Sequence, residues 1–180
     1  GEDGLWRKHN PAELATMAAF KRNPKLVWEW YLYRRSVISK AEPNPGHKTL
    51  AEMDNHLSDF TLVTQNVDNL HRLAGSERMI ELHGNIWRNK CLDCNSPLAQ
   101  MDIDPDNIPR CHCGGLVRPD VVWFGEQLPE GTLELAIKNS EKAKLFFSIG
   151  TLAVVYPAAD LPLLAKKLGA YLVEINPEPT

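Results

Sequence analysis

The chain has 180 residues, of which 43% are hydrophobic and 24% are charged, and its formal net charge is −3. This length supports one hydrophobic core, or a core with a small satellite module. The charge balance excludes a strongly basic, general nucleic-acid binder. The chain lacks a run of about eighteen apolar residues, so no transmembrane helix is predicted.

Helical periodicity dominates the first third of the chain. Residues 12–40 are predicted to be helical. In the first helix of this range, four apolar residues suit one buried face: Ala12, Leu14, Met17 and Phe20. Asn10 and Pro11 are typical of its first turn. A second helix is predicted at residues 25–39, and its apolar residues are Leu26, Trp28, Trp30, Tyr31 and Val37. After a break at residues 44–46, residues 47–57 predict a third helix.

Strands and helices then alternate along the chain. Strands are predicted at residues 60–64, 79–84, 120–125, 145–151 and 170–175. Helices are predicted at residues 70–74, 133–140 and 161–168, the last ending at Gly169. The apolar run at residues 145–151 is typical of a parallel strand covered on both faces. This alternation predicts an α/β fold built on a parallel sheet.

All four cysteines fall in one short stretch, in one Cys-x-x-Cys pair and one Cys-x-Cys pair: Cys91, Cys94, Cys111 and Cys113. Two disulfides, or a redox pair at the first two cysteines, are the alternatives to a metal site. Four thiolates close a tetrahedral zinc site and leave no open position, so we predict a structural zinc ion. His112 is expected to be a bystander.

Polar clusters follow three of the predicted strands, at residues 65–68, 83–84 and 150–151. Ligands of open parallel sheets bind beyond the carboxyl ends of the strands. Amide and carboxylate side chains can hold hydroxyls and a carboxamide, and a histidine can act as a base toward a sugar hydroxyl. Each cluster alone fits ordinary turn chemistry better. Together, the three clusters predict a ligand site.

Several motifs resemble the sirtuin family of NAD-dependent protein lysine deacylases in order and spacing. They cover residues 64–71, 81–84, the cysteine pairs, and residues 118–126, 149–151 and 174–176. The resemblance implies a Rossmann-like parallel-sheet domain that binds NAD, formed by residues 47–85 and 119–180. It also implies a smaller domain, formed by a helical insertion at residues 1–46 and a zinc-binding ribbon at residues 86–118.

The resemblance also assigns roles to individual residues. His83 is expected to be the catalytic base, and Asn66 is expected to take part in catalysis beside it. The expected NAD contacts are Gln65, Asn66, Asp68, Gly150, Thr151 and Asn176. A strand edge that pairs with the substrate backbone is expected at Val121, Val122, Trp123, Phe124, Gly125 and Glu126. Residues 122–124 would also form the wall of the acyl-lysine tunnel.

The implied reaction transfers the acyl group from lysine to ADP-ribose. Its products are free lysine, nicotinamide and 2′-O-acyl-ADP-ribose, and its partners are acyl-lysine proteins or peptides, with no membrane and no specific nucleic acid. His83 would take a proton from a ribose hydroxyl, and zinc would take no part. Two alternatives remain open: mono-ADP-ribosyl transfer to a protein in the same cleft, and a non-catalytic zinc-ribbon interaction module.

Tyr31 and Arg34 indicate which acyl group is removed. They lie three residues apart, so they share a helix face. The pair resembles the Tyr-x-x-Arg pair of the sirtuin branch that removes succinyl and malonyl groups. A guanidinium can bind a carboxylate through two hydrogen bonds, and a phenol can add a third. Apart from the resemblance, a solvated arginine and a core tyrosine would be favoured.

The chain departs from the family pattern in three places. It begins at residues 1–6, where the family's Gly-rich loop would end, and its last strand breaks off, so N- and C-terminal parts are expected to be missing. Leu152 stands where the family usually has serine. The cysteines suit a reducing compartment, which predicts a cytoplasmic location, or a mitochondrial one if a transit peptide is missing.

Overall fold

The computed structural model describes residues 11–177. The predicted features at residues 1–6 and at Asn10 lie outside this range. Within it, every helix is too short or too polar to cross a lipid bilayer.

Seven helices and seven strands build the described part of the chain. The helices are α1 (Pro11–Leu14), α2 (Met17–Arg22), α3 (Pro24–Ile38), α4 (Pro45–His56), α5 (Leu70–Leu73), α6 (Thr132–Lys142) and α7 (Leu161–Lys167). A 3₁₀ turn, Ala158–Asp160, precedes α7. The strands are β1 (Leu62–Thr64), β2 (Met79–Glu81), β3 (Gly84–Cys91), β4 (Pro97–Leu98), β5 (Val117–Val121), β6 (Leu145–Ile149) and β7 (Tyr171–Ile175).

Two parallel strand pairs form the α/β part of the molecule. β1 pairs with β2, and β6 pairs with β7, each in parallel register. One apolar cluster joins the two pairs through α6 and α7, and its members include Val63, Ile80, Leu82, Ala136, Phe146 and Leu161. The predicted α/β class with parallel strands is therefore confirmed.

A second, larger core lies between the N-terminal helices and an antiparallel sheet of order β4-β3-β5. Its fully buried members include Phe20, Trp28, Trp30, Ile86, Val117 and Trp123. The Trp28 indole N–H donates to the Val117 carbonyl at 2.9 Å. Arg35 is also buried and donates through Nε to the Ile86 carbonyl at 2.7 Å. Helix α3 is thus fixed directly onto the sheet that carries the cysteines.

The structure corrects several predicted helix features. The helical segment of residues 12–40 is interrupted at Thr16, whose hydroxyl accepts from the Ala19 amide and begins α2. Asn23 caps α3 in the same way, through the Leu26 amide. Val37, one of the apolar residues of α3, is 51% exposed. Local capping side chains therefore divide a stretch that periodicity alone reads as two longer helices.

Two strand predictions were wrong in position or burial. The strand predicted at residues 120–125 lies instead at Val117–Val121, where it pairs antiparallel with β3. β6 was expected to be covered on both faces. Leu145, Phe147 and Ile149 on one of its faces are 36–50% exposed among the described residues. The division into domains stays a prediction, and β5 crosses its boundary between residues 118 and 119.

Candidate active site

The parallel pairing of β1 and β2 brings two of the predicted polar clusters together. Thr64 is opposite Glu81 at the ends of these strands. The Leu82 amide then donates to the Thr64 carbonyl at 3.0 Å. The next contact joins His83 Nδ1 and the Gln65 carbonyl oxygen, at 3.2 Å. The imidazole therefore lies directly beside the segment of residues 65–69, called here the polar turn.

The contact with Gln65 determines which nitrogen of His83 carries the proton. A carbonyl oxygen can only accept, so Nδ1 must donate, and the neutral ring then has its lone pair at Nε2. Burial lowers the pKa of His83 below its ordinary value of 6.5, although the bond to Gln65 acts in the opposite direction. The ring is therefore neutral at physiological pH, as a general base requires.

Gly84 fixes the direction in which His83 leaves the strand. Its φ is +78°, and a Cβ at this position would collide with the Asp120 carbonyl oxygen of β5. Glycine permits both the left-handed backbone and this close approach. On the other side, the Val122 amide donates to the His83 carbonyl at 2.9 Å. His83 is thereby held between the polar turn and residue 122.

The polar turn combines ordinary turn bonding with exposed polar groups. The Asn66 amide donates to the Thr64 hydroxyl at 3.1 Å, and the Leu70 amide donates to the Asp68 carboxylate at 2.9 Å. Asn66 and Asp68 therefore do form the local turn hydrogen bonds that were considered as an alternative to ligand binding. It does not compete with ligand binding, because Asn66 remains exposed beside a cavity of about 350 Å³.

That cavity also brings Arg34 to the polar turn. It is lined by Arg34, Val37, Ile38, Gln65, Asn66, Val67 and Asp68. The Arg34 guanidinium carbon lies 4.9 Å from the centre of the Trp30 ring and 5.7 Å from that of Tyr31. Burial lowers the pKa of Arg34, with Tyr31 and Asp68 opposing the change. A partly desolvated cation thus faces the cavity from α3.

The role predicted for Tyr31, binding the acyl carboxylate together with Arg34, stays a prediction. It is fully buried and does not belong to the residues that line this cavity. Its hydroxyl accepts the Trp123 indole N–H at 2.9 Å. Burial raises the pKa of the phenol above its ordinary value, against the opposing effect of that bond. The structure therefore links two residues predicted for the substrate site, Tyr31 and Trp123, through one hydrogen bond.

Residues 121–126, predicted to pair with the substrate backbone, already use three of their backbone amides within the protein. The amides of Val122, Trp123 and Phe124 donate to the His83 carbonyl, the Glu126 carboxylate and the Ala15 carbonyl respectively. Phe124 is 61% exposed, whereas Trp123 is 1% exposed. Glu126 is held in an ion pair with the buried Arg118. Substrate pairing along this segment, Gly125 included, stays a prediction, and it would have to use groups other than these three amides.

Three further predicted NAD contacts meet at the ends of β6 and β7. The Asn176 carboxamide donates to the Thr151 carbonyl at 3.0 Å. The Gly150 amide donates to the Ile175 carbonyl at 3.0 Å, and Gly150 has a φ of +63°. Leu152 follows this turn and is 72% exposed. The structure therefore brings residues 150, 151 and 176 together at the carboxyl end of a parallel pair.

The cysteines form a compact tetrad at the far end of β3. Their four Sγ atoms lie within 4.8 Å of one another, with 3.4 Å between Cys91 and Cys113 and 3.8 Å between Cys94 and Cys111. Zinc–sulfur bonds of about 2.3 Å in a tetrahedron require sulfur atoms about 3.8 Å apart. A Cβ at Gly115 would lie 2.7 Å from Cys91 Sγ, so glycine keeps the site compact. The four thiols are not disulfide-bonded. The tetrad fits zinc, and His112 is outside it.

Sequence reasoning missed the residues that support the polar turn. Trp87 donates its indole N–H to the Asp68 carbonyl at 3.0 Å, and Asn85 donates to the Asn69 side chain at 2.9 Å. Both lie on β3, a strand that the sequence does not predict and that crosses the predicted boundary between residues 85 and 86. The only signal in the sequence is a polar Asn85 directly after the His83-Gly84 pair.

Comparison with known proteins identifies the family. The profile described as the Sir2 family matches residues 1–157. A relative from Aquifex aeolicus (strain VF5), named NAD-dependent protein deacylase, is 53% identical over 182 residues, covering 100% of this chain and 76% of the relative. The chain belongs to the Sir2 family. The predicted sirtuin resemblance is thus confirmed, and the relative bears the name of the predicted enzyme class.

Solved structures agree with this assignment. A crystal structure of a Sir2 homologue–NAD complex superposes with a TM-score of 0.92 at 42% identity, covering 98% of this chain and 70% of that one. A structure of Sir2 bound to acetylated peptide superposes with a TM-score of 0.87 at 33% identity, covering 96% and 74% of the two chains. The Rossmann-like fold predicted for this Sir2 protein is confirmed, and NAD in the first structure agrees with the predicted cofactor.

Proposed function

We propose that this chain is an NAD-dependent protein-lysine deacylase that acts on acyl-lysine proteins or peptides. We further propose that it prefers acyl groups ending in a carboxylate, such as succinyl and malonyl, and also removes acetyl. One observation supports the whole proposal: Arg34 lines the same cavity as the polar turn, and the polar turn contacts His83.

The described residues fit the nicotinamide-ribose part of NAD. The cavity of about 350 Å³ falls in the size range of small-molecule pockets. Amide and carboxylate groups of Gln65, Asn66 and Asp68 stand beside it and can hold a carboxamide and hydroxyls. Thr151 and Asn176 offer a second polar group at the ends of β6 and β7 for the rest of the dinucleotide.

His83 is the proposed base. Bound NAD supplies an electrophilic ribose carbon and a hydroxyl that receives the acyl group. The Nε2 lone pair of His83 takes the proton from that hydroxyl, because Nδ1 is committed to the Gln65 carbonyl. The same bond fixes the plane of the ring, so that the base is oriented before substrate arrives. Asn66 is proposed to act beside it from the polar turn.

Arg34 is the residue proposed to bind the carboxylate of the acyl group. Its guanidinium is packed over Trp30 and half-buried, so it has lost part of its hydration. A planar guanidinium forms two parallel hydrogen bonds with a carboxylate, and such charge-assisted bonds are about twice as strong as neutral ones. An acetyl group offers no charge in return. The difference between the two acyl groups therefore favours succinyl.

The test compares succinyl-lysine and acetyl-lysine versions of one peptide, with nicotinamide release followed by mass spectrometry. Arg34→Met should lower kcat/KM for the succinyl peptide about 10- to 100-fold, since a hydrogen bond to a charged group contributes about 1.5–3 kcal/mol. The acetyl peptide should change far less. Arg34→Lys is the matched control, which keeps the charge but not the two-pronged geometry, and should fall between. Equal losses for both peptides would show that Arg34 does not read the carboxylate.

A further inference from the structure

Three successive residues of β3 hold three successive residues of the polar turn. The Ile86 amide donates to the Val67 carbonyl at 2.8 Å. The Trp87 indole donates to the Asp68 carbonyl at 3.0 Å. Asn85 donates through Nδ2 to the Asn69 side-chain oxygen at 2.9 Å. These three hydrogen bonds from β3 therefore fix the conformation of the polar turn.

Asn85 is the member of this set with the most connections. It is 3% exposed. Its Nδ2 also donates to Glu81 Oε1 at 2.8 Å, and its Oδ1 accepts the Trp87 amide at 3.0 Å. A carboxamide has two N–H donors, and both are used here. No other side chain of the same size provides two donors and one acceptor in this arrangement.

The partner of Asn85 occupies an unusual backbone conformation. Asn69 has a φ of +75°, in the left-handed region that non-glycine residues seldom adopt. It follows Asp68 directly, and the bond from Asn85 holds its side chain in place. The left-handed residue ends the polar turn and starts α5. The bond therefore fixes the point at which the chain leaves the proposed NAD-binding segment.

Asn85 also links the antiparallel sheet, to which it belongs, with β2. Glu81 uses Oε1 for Asn85 and Oε2 for Arg88, at 2.6 Å. Arg88 reaches on to Asp120 of β5 at 3.1 Å. Asn85 is thus bonded to Glu81 of β2, and Glu81 is bonded in turn to a charged side chain of the antiparallel sheet.

We propose that Asn85 is a positioning residue for NAD: it sets the shape of the polar turn through Asn69, and thereby the positions of the groups that hold the nicotinamide ribose. The inference rests on the proposed function, because the role of the polar turn in NAD binding belongs to that proposal. Asn85 itself acts from behind the turn and touches no substrate.

The test measures KM for NAD, KM for peptide and kcat for the whole protein with a succinyl-lysine peptide. Asn85→Ala should raise KM for NAD about tenfold, as expected for the loss of well-formed buried hydrogen bonds, with KM for peptide little changed. Asn89→Ala is the matched control. Asn89 lies on the same strand, is 1% exposed and bonds to Arg35 instead of the polar turn. It should lower thermal stability without changing KM for NAD.

A second variant keeps the test valid if Asn85→Ala fails to fold. Asn69→Gly removes the side-chain partner but accepts the left-handed φ without strain. It should reproduce the rise in KM for NAD. The double variant should raise KM for NAD no more than either single substitution does. An unchanged KM for NAD in both variants of an active enzyme overturns the inference. A parent protein with no NAD-dependent deacylation at all overturns the proposed function instead.

Discussion

Replacing Glu126 with glutamine separates two roles for a residue that the sequence assigns to the substrate. In the structure its carboxylate binds the guanidinium of Arg118, which is 1% exposed, and accepts the Trp123 amide at 2.8 Å. Arg118 in turn donates to the Val121 carbonyl at 2.7 Å and lies over the Trp123 ring at 3.3 Å. This geometry indicates a structural role, which fixes residues 121–126 from within the protein.

The expected loss follows from leaving Arg118 buried without its counter-charge. Removing one partner of a buried ion pair costs about 3–5 kcal/mol, and the lower figure applies because glutamine keeps one acceptor oxygen. For a chain of this size, about 3 kcal/mol corresponds to a fall in Tm of about 6–12 °C. Glu130→Gln is the matched control. Because Glu130 is exposed, this substitution should change the free energy of unfolding by no more than about 0.5 kcal/mol.

The pH dependence of Glu126→Gln gives an independent check. Burial alone would raise the pKa of Glu126, but Arg118 and the Trp123 amide outweigh it and hold the pKa below its ordinary value of 4.5. A depressed carboxyl pKa stabilises the fold above the unfolded value, and the gain is lost as pH falls through the folded value. Urea titrations should therefore show the largest difference from the parent protein near pH 7 and a shrinking one below 4.5. Unchanged stability combined with a higher KM for peptide would refute this reasoning and restore the predicted substrate contact.

Two further predictions concern the metal and the base. Elemental analysis should find one zinc ion per chain. Cys111→Ser or a strong chelator should remove the zinc and lower Tm, because the tetrad joins β3 to the segment before β5. Zinc loss at constant Tm would contradict this prediction. The acid limb of kcat/KM should have its midpoint below the ordinary histidine pKa of 6.5, since burial lowers the pKa of His83 and only its neutral form accepts a proton. A midpoint above 6.5 would contradict the lowering of the His83 pKa by burial.

Local chemistry was enough to predict several of the helices and the meeting of two polar clusters at one edge of the sheet. The helix at residues 133–140 is part of α6, and Gly169, with a φ of +101°, follows α7 as expected. The contact between His83 and the polar turn followed from one topological rule, that parallel strands end at the same edge. The cysteine tetrad followed from spacing. Each of these features is set by residues close in sequence or by a single pairing.

The features that were missed depend on partners distant in sequence. β3 was unrecognised because its cohesion comes from pairing with β5 and from the cysteines, and not from periodicity of its own. The strand at residues 120–125 was misplaced because Glu126, three residues on, captures the Trp123 amide and ends the pairing early. Asn85 resembled any polar residue in an irregular segment. Its role depends on Asn69 and Glu81, which only the folded chain brings to it.

β3 explains how a metal remote from the chemistry can still matter to it. Its first residue, Gly84, follows His83, and its last residue, Cys91, belongs to the tetrad. β3 is bulged between Gly84 and Asn89, and its two ends are opposite Val121 and Val117 of β5. β5 rises about 3.3 Å per residue, so about 13 Å separates the two ends. A closed four-thiolate site at that distance cannot polarise a reacting bond. It would instead fasten β3 to β5 at one end, where Cys91 is opposite Val117, while Gly84 is opposite Val121 at the other. His83 and residue 122 leave from that second end, so a zinc ion held by the tetrad would align the proposed site, in agreement with the prediction that zinc takes no part in the reaction.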